Sequence, residues 1–201
     1  MPELKDRDLV RLYWPVELRP AFDAVFAVDD AMGEVVAKAT EPALAAIKLA
    51  WWRERLEELD AGKIPAEPRL QAAADQLLTR SIAGASLAQL EDGWAALLET
   101  EPDPERIAAR GAKLFDMASS LLGAADPRTE MAGRLYALTR LGHRPQVPAD
   151  LIRHRFAKAL RPLTALAALA ARDARLGASE PQGTPGRAWT LLRHRMTGRI
   201  G

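Results

Sequence analysis

Apolar residues along this chain recur three and four positions apart and do not alternate, a periodicity that admits α-helices and argues against β-sheet. Alanine and leucine dominate while β-branched residues are sparse, which points the same way. A first short segment ends at Tyr13-Trp14-Pro15. Pro20 then sits where a helix tolerates proline, in the first turn of a segment that runs to about residue 39 with the stripe Phe22, Val25, Phe26, Met32 and Val36. After Thr40-Glu41-Pro42 the pattern predicts an amphipathic helix with Leu44, Ile47, Trp51, Trp52, Leu56 and Leu59 on its buried side and Arg53, Glu54, Glu57 and Glu58 opposite. Further helices are expected at about 66–80, 86–99, 104–123, 128–142, 149–176 and 186–197, separated by glycine and proline. The alanine-rich run 163–171 reads as a helix packed closely on its neighbours. No repeat at a fixed period marks a solenoid. The expected fold is therefore all-α, a single compact bundle of about eight helices in which residues 1–201 form one domain.

Cysteine is absent, which excludes disulfides, thiolate metal sites and cysteine nucleophiles. No apolar run approaches the roughly 18 residues needed to span a bilayer, and the start of the chain has neither the basic nor the apolar region of an export signal. The expected address is the cytoplasm, including the periphery of the inner membrane. A net charge of +1 conceals a division: residues 1–130 carry 15 Lys/Arg against 24 Asp/Glu, and residues 131–201 carry 13 against 3. Such a division serves either pairing between the halves or a basic face for an acidic protein or membrane surface. Nucleic acid is not expected, because no zinc-finger spacing, RNP-type run or helix-turn-helix signature accompanies the charge.

Zinc-protease, P-loop, nucleophile-elbow and dinucleotide motifs are missing. His143, His154 and His194 each lie near arginine and lack a nearby carboxylate in sequence, so they read as surface residues and not as metal ligands or triad members. The informative segment is 22–59. Phe22, Phe26 and Asp29 step by four and three residues, which turns Asp29 towards the bundle interior. A buried carboxylate needs a counter-charge, hydrogen bonds or a cation. Glu34 follows Asp30 by one turn, so Asp29, Asp30 and Glu34 form a candidate metal set. The alternative is that Asp29 meets an arginine of a neighbouring helix, with Arg19, Arg53 and Arg55 close in sequence.

Two stretches carry a resemblance: Arg19-Pro20-Ala21-Phe22 with Val25-Phe26-Ala27 and the acidic residues that follow, and Glu41-Pro42-Ala43-Leu44-Ala45-Ala46-Ile47-Lys48-Leu49-Ala50-Trp51-Trp52-Arg53. They resemble the entry segment, first aspartate-rich helix and tryptophan-pair helix of the squalene/phytoene synthase family, and in particular its degenerate branch similar to a mitochondrial complex I assembly factor. The tail Gly183-Thr184-Pro185-Gly186-Arg187-Ala188-Trp189 with Leu191-Leu192-Arg193-His194-Arg195 is also similar to that branch. The resemblance implies an isoprenoid-synthase-like bundle. In active members two aspartate-rich motifs on facing helices hold magnesium, which neutralises a departing diphosphate while an apolar cavity shields the carbocation.

Spacing back from Glu41-Pro42 puts the first motif at Gly33, Glu34 and Ala37, of which only Glu34 is acidic, with Asp29 and Asp30 one turn upstream. The second motif falls around residues 133–140, and only Leu141, Gly142 and His143 stand between Arg140 and Arg144, leaving no room for its aspartates. Asp116 lies off its helix's apolar stripe and reads as solvated. The resemblance thus implies a diverged, non-catalytic member, a pseudoenzyme that binds a prenyl or other hydrophobic ligand or assists assembly of a membrane-associated complex, with no cofactor. A competing reading is an active magnesium-dependent prenyltransferase using Asp29, Asp30 and Glu34 with phosphate-binding Arg11, Arg19 and Arg53 and a cavity lined by Phe22, Phe26, Trp51 and Trp52. A third is a helical interaction module unrelated to isoprenoid chemistry. The segment 187–199, with Trp189, Leu191, Leu192 and Met196, reads either as an interfacial amphipathic helix or as an ordinary docked one.

Overall fold

Proline decides where many of the helices begin. Pro20, Pro42, Pro68, Pro104, Pro162 and Pro185 each stand at the first or second helical position, where no N–H is required and the fixed φ is already helical. The structure, a computed structural model, describes residues 5–177 and 180–201. Residues 1–4, on which the expectation of no export signal partly rests, and residues 178–179 of the Gly/Pro-rich connection lie outside the described residues.

The α-helices are α1 (Asp6–Arg11), α2 (Arg19–Ala37), α3 (Pro42–Leu59), α4 (Pro68–Gln76), α5 (Gly84–Ala88), α6 (Leu90–Ala95), α7 (Pro104–Leu121), α8 (Arg128–Arg140), α9 (Ala149–Arg153), α10 (Arg161–Leu176) and α11 (Pro185–Thr197). No strand occurs among the described residues, so the fold is all-α. One continuous cluster of buried apolar side chains runs through the molecule from Val10 to Ile200. No described helix is long and apolar enough to cross a membrane.

The count exceeds eight because two expected helices are broken. The segment expected at 149–176 stops at Arg153, continues extended at His154 and Ala157, and re-enters as a 3-10 turn, Lys158–Leu160, before α10. Pro162 fits a helix start here: it stands in the first turn of α10, and inside a continuous helix it would lack the N–H for residue 158 and its ring would meet that carbonyl. The segment expected at 86–99 is α5, α6 and a 3-10 turn, Ala96–Leu98. It begins earlier, where the Asp60 carboxylate accepts the N–H groups of Gly84 at 2.6 Å and Ala85 at 2.9 Å and so caps α5.

The stripe expected on α3 also needs correction. Its buried side chains are Ala45, Leu49, Trp52, Leu56 and Leu59, while Leu44, Ile47 and Trp51 are 51%, 65% and 41% exposed. Extending the 44–47–51 row by whole turns leads to Glu54, Arg55 and Glu58, so burying it would drag charges inward. The row one residue on continues in leucine.

Helices α7 and α8 are in backbone contact. A Cβ built on Gly111 would stand 2.1 Å from the Gly133 carbonyl oxygen, and one on Gly133 would stand 2.2 Å from the Gly111 oxygen. This crossing fixes α8 against α7 and brings Arg110 and Arg140 to the same side of α2.

At the other end α11 docks on α10 through polar groups. Arg161 donates to the carbonyls of Arg195 at 2.9 Å and Met196 at 3.0 Å. His194, expected on the surface, is 1% exposed: Arg193 and Arg195 project outward while the imidazole points at α10. Its Nδ1 lies 2.9 Å from the Arg199 carbonyl and its Nε2 2.9 Å from Thr164 Oγ1, an arrangement that a neutral ring satisfies by donating from Nδ1 and accepting at Nε2. His154, expected to have no carboxylate orienter close in sequence, finds a distant one, Asp126, at 2.6 Å.

Burial, aided by the charge of Arg161 and opposed by the Arg199 carbonyl, pushes His194 down from 6.5 to about 4. Between these values the unfolded chain takes up a proton that the folded one refuses, so stability falls as pH drops from 6.5 towards 4. The linkage amounts to on the order of 3 kcal/mol. Urea unfolding at pH 7 and pH 4 should show a loss larger by about that much in the wild type than in His194→Asn; equal losses would contradict this role.

Candidate functional site

Asp29 occupies the apolar register of α2 as expected and is fully buried. Its Oδ1 accepts the indole N–H of Trp94 at 2.9 Å and the guanidinium of Arg110, while Arg140 Nη1 approaches Oδ2 at 3.7 Å. Arg110 is itself 1% exposed and lies over the Trp94 ring, 3.9 Å from its centroid. Two glycines make room for this stack. A Cβ on Gly33 would meet the Trp94 indole at 2.8 Å, and one on Gly93 would meet the Arg110 Cβ at 2.4 Å. Low local dielectric strengthens each contact and equally raises the cost of losing one.

Asp30, the next residue, turns partly towards a cavity. Its carboxylate accepts from Arg7 of α1 and from Arg140 Nη2 at 2.7 Å. Burial opposes its ionisation, but Arg7 and Arg140 outweigh that and hold its carboxyl below the usual carboxylate range. Arg140 is braced by the Tyr136 hydroxyl at 3.0 Å, and Arg7 lies over the Phe26 ring at 5.3 Å. Two aspartates are thus held by three arginines drawn from α1, α7 and α8.

The cavity has a volume of about 580 Å³. Asp30, Gly33 and Glu34 of α2 face Tyr136, Thr139 and Arg140 of α8 across it. Leu166, Leu169 and Ala170 of α10 supply an apolar wall. A second ion cluster closes its far end, where Arg187 donates to Asp6 at 2.7 Å and to Asp173, all three nearly buried. Its polar half therefore consists of two ion clusters, one with an arginine in excess and the other with an aspartate in excess, beside the largely buried apolar side chains of α10.

The three candidate metal ligands do not converge. Asp29 is committed to Arg110 and Asp30 to Arg7, with Arg140 shared between them, and Glu34 stands apart on the rim, bonded to Arg69 at 2.8 Å and Lys38 at 3.2 Å. No group of three or more His, Asp or Glu among the described residues is placed to hold a metal ion. A magnesium ion needs several free oxygens in near-octahedral array and retains water. The oxygens of Asp30 and Glu34 are committed to cations, and the one Asp29 oxygen without a hydrogen bond is buried beside guanidinium groups. This donor set does not fit magnesium.

The candidate phosphate-binding arginines are dispersed. Arg11 pairs with Asp23 at 2.7 Å, Arg19 donates to the carbonyls of Leu12 at 3.0 Å and Trp14 at 3.2 Å, and Arg53 is exposed on α3. Of the candidate cavity residues, Phe22 and Phe26 fill the core with Trp14, at centroid separations of 4.7 Å along the stack. Trp52 lines a smaller cleft of about 240 Å³ between α2 and α3, and Trp51 projects outward. Asp116 is exposed, as expected. The arginine alternative for Asp29 holds in kind, but the partners are Arg110 and Arg140 in place of Arg19, Arg53 or Arg55. A readable signal existed: Arg110 falls three residues after Ile107 and four before Leu114, inside the apolar stripe of α7. Nothing comparable marks Arg7 or Arg140, whose role depends on how α1 and α8 pack.

Asp29→Asn leaves the Arg110 charge buried without its counter-ion and should destabilise the protein by about 3–5 kcal/mol in urea unfolding, whereas Glu34→Gln should leave the midpoint unchanged. An empty cluster of mutually repelling metal ligands would behave in the opposite way, gaining stability from the loss of Asp29.

No family model, curated protein or solved structure matches the chain.

Proposed function

We propose that this chain is a diverged, non-catalytic protein of the squalene/phytoene synthase type, a pseudoenzyme that binds a prenyl or other hydrophobic ligand in its helix-lined cavity or takes part in assembling a membrane-associated complex. One observation carries the reading. The positions at which the resemblance puts the two acidic motifs, Gly33, Glu34 and Ala37 on α2 and the end of α8 with Tyr136, Thr139 and Arg140, line the same cavity from facing helices. Where a metal-dependent synthase needs uncommitted carboxylates, Arg7 and Arg140 occupy those of Asp30.

Chemistry follows from that exchange. Ionising a prenyl diphosphate requires divalent charge on the leaving group, and Arg7, Arg110 and Arg140 against Asp29 and Asp30 leave one net positive charge, less than a dication supplies. What the cavity retains is volume and an apolar wall. At about 580 Å³ it lies within the roughly 300–1,000 Å³ common to small-molecule pockets, and the edges of Leu166, Leu169 and Ala170, 3–5% exposed, are the apolar contact it offers a hydrocarbon tail. The competing prenyltransferase reading would use the same cavity but needs its acids released from Arg7 and Arg140.

Incubation with farnesyl or geranylgeranyl diphosphate and magnesium should release no diphosphate. Turnover that disappears in Asp30→Asn while its thermal unfolding stays that of the wild type would establish the active alternative. Geranylgeraniol at about 100 times its Kd should raise Tm by about 5 °C or more, and Ala170→Phe, which fills the apolar side of the cavity, should abolish that rise.

A further inference from the structure

We infer that the outer face of α11 is a docking surface for an anionic lipid bilayer. The buried side of this helix carries Arg187, Leu191 and His194, so its docking on α10 is complete without the rest. At about 100° per residue, Leu192, Met196 and Trp189 then fall side by side in one outward arc, with Arg195 on one shoulder and Arg193 on the other. These three apolar side chains are 43%, 68% and 64% exposed. A core helix hides its apolar stripe and shows its charges. Here a second apolar stripe faces outward between arginines, the arrangement in which apolar side chains enter the acyl boundary while guanidinium groups reach the headgroups.

Charge selects the partner. Residues 181–201 contain four arginines and neither aspartate nor glutamate. The neighbouring segment adds exposed Arg153, Arg155 and Lys158, and it is fastened to the end of α11: Phe156 N–H donates to the Gly198 carbonyl at 2.9 Å and Arg155 Nε to the Thr197 carbonyl at 3.0 Å. Arg195 also lies over the Tyr13 ring at 4.5 Å, which sets the turn bearing exposed Leu12 and Val16 beside the helix. Apolar side chains spaced along one helix and ringed by cations suit a planar anionic surface, where each nearby arginine adds its own attraction. This surface is separate from the cavity and does not depend on a ligand there.

Flotation of the full chain with vesicles of phosphatidylcholine, alone or with 30 mol% phosphatidylglycerol, tests the assignment. Binding is expected only to the anionic vesicles and should weaken with salt. Trp189→Ser/Met196→Ser and, separately, Arg193→Glu/Arg199→Glu should each lower the partition coefficient by about tenfold or more, with unchanged thermal unfolding because all four residues are exposed. Four results would overturn it: no binding to either vesicle, equal binding to both, binding to anionic vesicles that survives both variants, or capture of an acidic polypeptide, nucleic acid or second copy through the same residues without vesicle binding.

Discussion

The contact on which this structure depends is the buried ion pair between Asp29 and Arg110. It joins the centre of α2 to α7, its carboxylate also takes the indole N–H of Trp94 from α6, and Arg140 of α8 leans on its second oxygen. Four helices are thus registered by one side chain. An apolar core of alanine and leucine has many near-equivalent packings, whereas a desolvated charge tolerates few. The glycines at 33 and 93 have their reason here, since a methyl group at either position would displace Trp94 or Arg110.

The same contact governs the cavity. With Asp29 committed to the core, Asp30 is the acid that faces the open side, and Arg7 and Arg140 bind it from two further helices. The division of charge along the sequence is used in this way. Basic residues of the C-terminal part reach acids of the N-terminal part in the pairs Arg140–Asp30, Arg134–Glu105 and Arg187–Asp6. Internal pairing accounts for part of the basic excess, and a remainder is displayed around α11. The cavity thus brings carboxylates already paired with arginine beside the apolar side chains of α10.

Much of this was legible in the residues. Helical spacing and proline placement located α2, α3, α7, α8 and α11 to within a few positions, because the apolar rows there are long and their ends are marked. The interior position of Asp29 followed from its step of three after Phe26. Failures came where two rows competed or where a partner was distant in sequence. On α3 the row through Trp51 looked as apolar as the row through Trp52 until Glu54 and Glu58 were counted in its continuation. His194 looked exposed because its neighbours are arginines, yet on a helix adjacent residues face different ways. Arg7, Arg140 and the Asp126 partner of His154 depend on tertiary packing that periodicity does not encode.

Arginine holds the Asp30 carboxylate at the cavity and leaves no dication site there. Electron paramagnetic resonance of Mn²⁺, an oxygen-seeking substitute for magnesium, tests it directly on the full chain. Titration to about 1 mM should leave the free-ion signal undiminished by the protein. A bound fraction with sub-millimolar affinity that vanishes in Asp30→Asn would mean that a dication displaces Arg7 and Arg140 from this carboxylate.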